Sequence, residues 1–238
     1  MKKIFTVFTK TELAIMSGSI LTILIAFFAF GGEGYLSLIA SLIGAVSLMF
    51  CAKGNPLGQV LIIIFSILYG IISFEVGYYG EMITYVGMSA PMAVFALIAW
   101  IKNPAEKGKS EVKAYRLTFR DALVMILLTL AVTFAFYFIL KFFGTSNLPA
   151  STLSVTTSFA AVYLTYKRSP FYALAYALND VVLIAMWIFA MRSDSSYVSV
   201  VTCFLVFLLN DLYGFFSWQR MQKRQEEKSR RENADQSL

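Results

Sequence analysis

Eight stretches of about 18 to 22 residues, at 12–31, 35–52, 57–77, 82–101, 121–140, 148–166, 170–191 and 197–218, carry few or no charges, and the charged residues collect between them. At 1.5 Å per residue, that length is what an α-helix needs to cross a hydrocarbon core of roughly 30 Å. Backbone amides in lipid must pair within their own segment. Long continuous apolar runs satisfy this as helices, not as the alternating strands of a barrel. The chain is therefore expected to be an all-α integral membrane protein with about eight transmembrane helices. The composition agrees, since 58% of its 238 residues are hydrophobic and 14% are charged.

Other classes fall away on residue content. The chain has no histidine, which excludes His-based catalytic triads and His metal clusters. Its two cysteines, Cys51 and Cys203, lie in different apolar segments and are read as packing residues, so no metal site and no cofactor are expected. No GxxxxGK[ST] sequence occurs, so ATP is not the direct energy source. Lys2, Lys3 and Lys10 precede the first apolar run like the start of a signal peptide, but the run is too long and seven more follow, so it is read as an uncleaved helix.

Basic residues orient such a chain, because lysine and arginine are retained in cytoplasmic loops. With the N-terminus inside, the cytoplasmic set is Lys2, Lys3, Lys10, Lys53, the linker residues Lys102, Lys107, Lys109, Lys113, Arg116 and Arg120, the pair Lys167 and Arg168, and six residues from Arg220 to Arg231. Only Lys141 and Arg192 fall outside, so 18 of 20 basic residues fit one topology with both termini cytoplasmic, in a plasma membrane. The net charge of +6 then serves orientation and anionic lipid contact, and no nucleic-acid partner is expected. The mixed-charge tail reads as a solvated helix end that frays.

Two regions resemble each other: AKGNPLGQVLIIIFSILYG at 52–70 and YKRSPFYALAYALNDVVLI at 166–184. Lys53 and Pro56 match Lys167 and Pro170 at an offset of 114, and Trp100-Ile101-Lys102 matches Trp218-Gln219-Arg220 at 118. This order suggests a parallel 3+1+3 repeat with one additional N-terminal helix. The expected organisation is an N-terminal segment and extra helix at 1–34, a first three-helix repeat at 35–102, a basic linker and connecting helix at 103–147, a second repeat at 148–220, and a charged tail at 221–238. Repeats of this type place a solute site between the halves near the midplane.

Charges inside a membrane are costly and usually functional. Asp180 and Asp211 are the two buried candidates, each preceded by leucine and asparagine, and both lie about 14 Å from the cytoplasmic end on antiparallel helices. Asp180 and Trp187 share one helix face, and Asn210, Gly214 and Trp218 step by four on the next. Asn and Asp can hydrogen-bond ribose hydroxyls or an amide, while an aromatic ring stacks on a heterocycle, a cationic one especially well. The competing reading is that these groups cross-link helices. Trp100 and Trp218, beside basic residues, read as interfacial anchors, and Trp187 as either belt or pocket. Glu75 and Glu81 flank an external turn at Gly77-Tyr78-Tyr79-Gly80. Two carboxyls at one depth also meet the geometric minimum of an intramembrane aspartyl protease, but the Asn-Asp motif is unlike the Gly-x-Gly-Asp such enzymes use.

The segments YYGEMITYVGMSAPMAVFALIAWIKNP (78–104) and FLVFLLNDLYGFFSWQRMQKRQ (204–225) resemble the PnuC family of bacterial nicotinamide riboside transporters. The resemblance implies a SWEET-like fold, a homotrimer, and facilitated diffusion of an unphosphorylated vitamin nucleoside that cytoplasmic phosphorylation makes one-way. Carried onto this chain, it implies that Asn179, Asp180, Trp187, Asn210, Asp211 and Tyr213 line the central site. Many family members carry glutamine after the Pro-Met of the fourth helix, where this chain has Ala93 after Pro91-Met92. Related solutes, a deoxynucleoside, riboflavin or thiamine, are the alternatives.

Overall fold

A computed structural model describes residues 8–30, 34–75, 79–106, 108–145, 147–191 and 197–235. Lys2, Lys3, Lys107, Arg192 and the turn residues Gly77 and Tyr78, used above for topology, lie outside the described residues. The chain forms helices α1 (Lys10–Phe30), α2 (Tyr35–Ala52), α3 (Leu57–Glu75), α4 (Tyr79–Lys102), α5 (Phe119–Phe142), α6 (Leu148–Tyr166), α7 (Phe171–Met191) and α8 (Val198–Asp235). Among the described residues there is no strand, only an isolated bridge between Pro104 and Val112. Seven of the helices are long and apolar enough to cross a membrane. The eighth, α6, has 19 residues and is rich in serine and threonine, which lowers its hydropathy without shortening it.

The helix ends follow from local chemistry. Thr9 and Glu12 close α1 reciprocally: Thr9 Oγ1 accepts from the Glu12 amide and the Glu12 carboxylate from the Thr9 amide. Thr118 and Asp121 do the same for α5. Gly54 ends α2 at φ 62° and Arg168 ends α6 at φ 60°. In both turns the next amide bonds back five residues, Asn55 to Phe50 O and Ser169 to Leu164 O, so both helices stop in the same left-handed cap. The two caps are 114 residues apart, the offset of the sequence match.

Helices α2, α3 and α4 pack as one group and α6, α7 and α8 as another. The groups meet reciprocally, α2 against α8 and α4 against α6. Helix α1 lies against α2 and α8, whereas α5 packs chiefly on α6 and leaves most of its surface apolar and exposed. Glu12 at the start of α1 is buried yet satisfied, since Lys53 sits 3.2 Å away and the Tyr213 hydroxyl donates to it at 2.9 Å.

Trp100 and Trp218 are not interfacial anchors. Both are 1% exposed or less, their rings 5.3 Å apart, wedged against Tyr172 at the basic end of the bundle. The Trp100 indole donates to Thr165 O at 2.9 Å and the Trp218 indole to Cys51 O at 2.7 Å. Each therefore bonds a helix-end carbonyl of the opposite group. Both carbonyls also accept from their own cap, Thr165 O from the Arg168 amide and Cys51 O from the Gly54 amide, and the indole takes the second acceptor position.

The linker after α4 lies across this end as a strap. Its Val112 amide donates to Gly54 O and its Tyr115 amide to Arg168 O, both at 2.9 Å, so it is fastened to the two equivalent caps. The α8 tail does not fray as expected. It continues as helix to Asp235 because the strap pairs with it, Glu111 with Arg224, Glu106 with Lys228, and Gln225 with Ala114 and Val112.

Candidate functional site

Between the two groups, in the middle of the bundle, lies a cavity of about 80 Å³ lined by α2, α3, α4, α6, α7 and α8. It has room for on the order of five waters. A nucleoside would require the groups to move apart. Two smaller cavities lead from it toward the far end, sharing Phe65, Phe204 and Phe207 on one side and Tyr85, Ser89, Ser158 and Leu183 on the other. Both reach Tyr69 and Glu81 at the start of α4.

Each wall has a local cause. In α4 the turn Tyr85–Ser89 is a π-helix, preceding Pro91. Proline has no amide to donate and its ring crowds the carbonyl four residues earlier, so the ladder widens just before it. Tyr85 and Ser89 of this turn line the cavity. In α6 a hydroxyl ladder faces α7: Ser154, Thr157 and Ser158 all donate to Asn179 Oδ1, at 3.3, 2.8 and 3.0 Å. Three donors on one carbonyl oxygen fix the amide rotamer and direct its nitrogen away from α6.

Asp180 and Asp211 both line this cavity at the α7–α8 seam, each 4% exposed. Asp180 Oδ2 is buried without a hydrogen-bond partner. Among the described residues, no lysine or arginine lines the cavity.

Of the six residues singled out from the sequence, Asn179, Asp180 and Asp211 line this central cavity. Trp187 lines the cavity nearer the far end, with Glu81 and Tyr69, and packs tilted against Tyr197 with ring centroids 5.1 Å apart. Asn210 and Tyr213 face α1 instead. Asn210 accepts from Ser19 at 3.1 Å and Tyr213 donates to Glu12. The inward face of α8 runs through Phe204, Phe207, Asp211, Gly214 and Trp218, a three-and-four spacing that leaves 210 and 213 on the flank. Sequence reasoning missed Tyr85, Ser89, Tyr176 and the α6 hydroxyls. The run STLSVTTS at 151–158, polar within a membrane-length helix, was the available signal.

The chain is 23% identical over 201 residues to the nicotinamide riboside transporter PnuC of Neisseria mucosa, covering 83% of this chain and 76% of that protein. It is likewise 23% identical over 193 residues to the nicotinamide riboside transporter PnuC of Haemophilus influenzae, covering 81% and 82%. The crystal structure of the vitamin B3 transporter PnuC shares the fold with a TM-score of 0.79 at 21% identity, over 92% of this chain and 94% of that one. A family model described as nicotinamide mononucleotide transporter matches residues 34–220, everything from α2 to the bonded Trp218 and its neighbours, and this chain belongs to that transporter family.

Proposed function

We propose that the protein carries nicotinamide riboside into the cell by facilitated diffusion, with phosphorylation in the cytoplasm preventing return. The single observation that carries this reading is the charge of the central cavity: two carboxyl groups, aromatic rings and hydroxyls line it, with no lysine or arginine among the described residues. A mononucleotide would bring a phosphate of roughly −1.5 to −2 charge toward those carboxyls with nothing to pair it. The unphosphorylated riboside brings a pyridinium cation, an amide and ribose hydroxyls, each with a matching group. Asn179, Asp180 and Asp211 contact the solute in this reading, Trp187 lies on its approach, and Asn210 and Tyr213 hold the flank through α1. The aspartyl pair is then a solute site and not a protease centre.

The basic end of the bundle, with Lys53, Lys102, Lys167, Arg168 and the strap, is placed in the cytoplasm of a bacterial cell with both termini. Two repeats, 35–102 and 148–220, are supported by the paired left-handed caps and the crossed indole bonds. In this reading the protein assembles as a homotrimer, and the exposed apolar surface of α5 meets lipid or another copy.

The test is uptake of radiolabelled nicotinamide riboside by proteoliposomes holding only this protein. Equilibrating uptake, inhibited by excess unlabelled riboside but not by nicotinamide mononucleotide, is expected. Transport of thymidine, thiamine or riboflavin in its place would keep the site and overturn the solute.

A further inference from the structure

The two cavities between the central one and the far end, of about 40 and 30 Å³, have Tyr69 of α3 and Glu81 of α4 in common. One lies on the side of α1, α2 and α8, the other on the side of α5 and α6, so Tyr69 and Glu81 form the partition between them. Among the described residues lining either cavity, Glu81 is the one charged group. It has no part in the central site. A carboxylate in the first turn of α4 also favours the helix dipole, and that ordinary role needs no cavity.

Two further observations point to a ligand. Along α4, Glu81, Tyr85 and Ser89 step by four, and they line successive levels from the outer cavities to the central one. At 1.5 Å per residue, half-buried Glu81 stands roughly 12 Å along the axis from Ser89. Aromatic rings gather beside it: Tyr69 lies 4.5 Å from Tyr85 and 5.7 Å from Phe65, and Trp187 forms part of the wall of the first cavity. A carboxylate among aromatic rings in a cleft with low-dielectric walls suits a planar cation, whose charge the carboxylate takes while a ring takes its face. We propose that Glu81, Tyr69 and Trp187 form an outer binding site for the cationic heteroaromatic ring of the solute, separate from the central cavity and occupied before it.

This inference rests on the reading of the solute as nicotinamide riboside, whose ring nitrogen carries a fixed positive charge. It adds that solutes are sorted by ring charge at the mouth, before the two groups of helices part. A phosphate-bearing analogue is disfavoured at the same point, since the outer cavities offer it a carboxylate and, among the described residues, no lysine or arginine. The site agrees with passive flow. A carrier without an energy source speeds entry and exit alike, so Glu81 sets how fast equilibrium is approached and leaves the final level unchanged.

The test uses Trp187 as its own reporter. Pyridinium cations quench indole fluorescence on contact, and the other two tryptophans, Trp100 and Trp218, are at most 1% exposed at the opposite end. The full chain in lipid nanodiscs is titrated with 1-methylnicotinamide, the ring cation without ribose, and with neutral nicotinamide. Saturable quenching by the cation is expected, with a dissociation constant at least tenfold higher in Glu81→Gln and an intermediate shift in Glu81→Asp. Nicotinamide should not distinguish the three proteins. Raising salt from about 10 mM to 1 M, which shortens the Debye length from about 30 to 3 Å, should weaken cation binding to wild type and not to Glu81→Gln. Quenching that does not saturate, or that saturates alike in wild type and Glu81→Gln, overturns the inference alone when wild-type proteoliposomes take up riboside. Absence of riboside uptake by wild type overturns the solute reading and the inference together. If Glu81→Gln does not fold, the Glu81→Asp shift and the salt dependence of wild type decide the matter.

Discussion

Replacing Trp218 with phenylalanine tests whether the crossed indole bonds keep the basic end closed. The ring would still pack against Trp100 and Tyr172, but Cys51 O would lose its 2.7 Å donor in a site where Trp218 is fully buried. Cys51 O keeps the Gly54 amide at 2.8 Å, so the loss is that of one hydrogen bond, about 0.5–1.5 kcal/mol. If the bond exists only when the two groups are together at this end, that cost falls on the closed form and raises the open fraction roughly 2- to 13-fold. Cys51, 1% exposed directly beneath the bond, reports the opening. In a Cys203→Ser background, a membrane-impermeant maleimide applied from the basic side should label Cys51 faster in Trp218→Phe by that factor. Trp100→Phe, which strips the equivalent bond to Thr165 O, should do the same. Unchanged labelling in both variants, together with a lowered melting temperature, would refute the argument and leave the indoles as ordinary core.

Further outcomes are expected at the other contacts. Thr157→Val removes the shortest of three bonds to Asn179 Oδ1 and should lower riboside uptake several-fold with protein level unchanged, measured in proteoliposomes. Gly58→Ala would place a methyl 2.7 Å from the Cys51 backbone nitrogen, which cannot shift without moving α2, so a loss of about 1–3 kcal/mol by thermal melting in detergent is expected. The Glu106 carboxyl is held down to about 2 by Lys109 first and Lys228 second, from an ordinary value near 4.5. Its contribution to docking the strap is therefore complete above about pH 4.5 and lost as pH falls toward 2. Limited proteolysis of the linker should accelerate across that window, and Lys228→Glu should show the fast rate already at neutral pH.

Much of the architecture was legible because membrane length and charge placement are coarse, cumulative signals. The gaps between charges located α2 and α3 almost to the residue, since Pro56 and the lysine turns bound them sharply. The end of α8 was not legible, because its continuation depends on salt bridges to a linker more than 100 residues earlier. Trp100 and Trp218 misled for a related reason: a tryptophan beside arginine or lysine looks the same whether its indole faces lipid or a carbonyl on another helix. The aspartates were found because charge at mid-helix is rare, whereas Asn210 and Tyr213 lie one step around the same helix, and only the position of α1 distinguishes the flank from the cavity. Tyr85 and Ser89 line the cavity on a turn whose register the π-helix shifts, which regular periodicity does not anticipate.

The strap that joins the two caps also acts as a leash. Its two anchor amides, Val112 and Tyr115, are three residues apart, a reach of roughly 10 Å at full stretch. While both bonds hold, the Gly54 and Arg168 turns can separate no further than that reach and the two hydrogen bonds allow. The basic end thus has a built-in limit on its gape, set by chain length and not by packing, and any larger opening must first unhook the linker from one half.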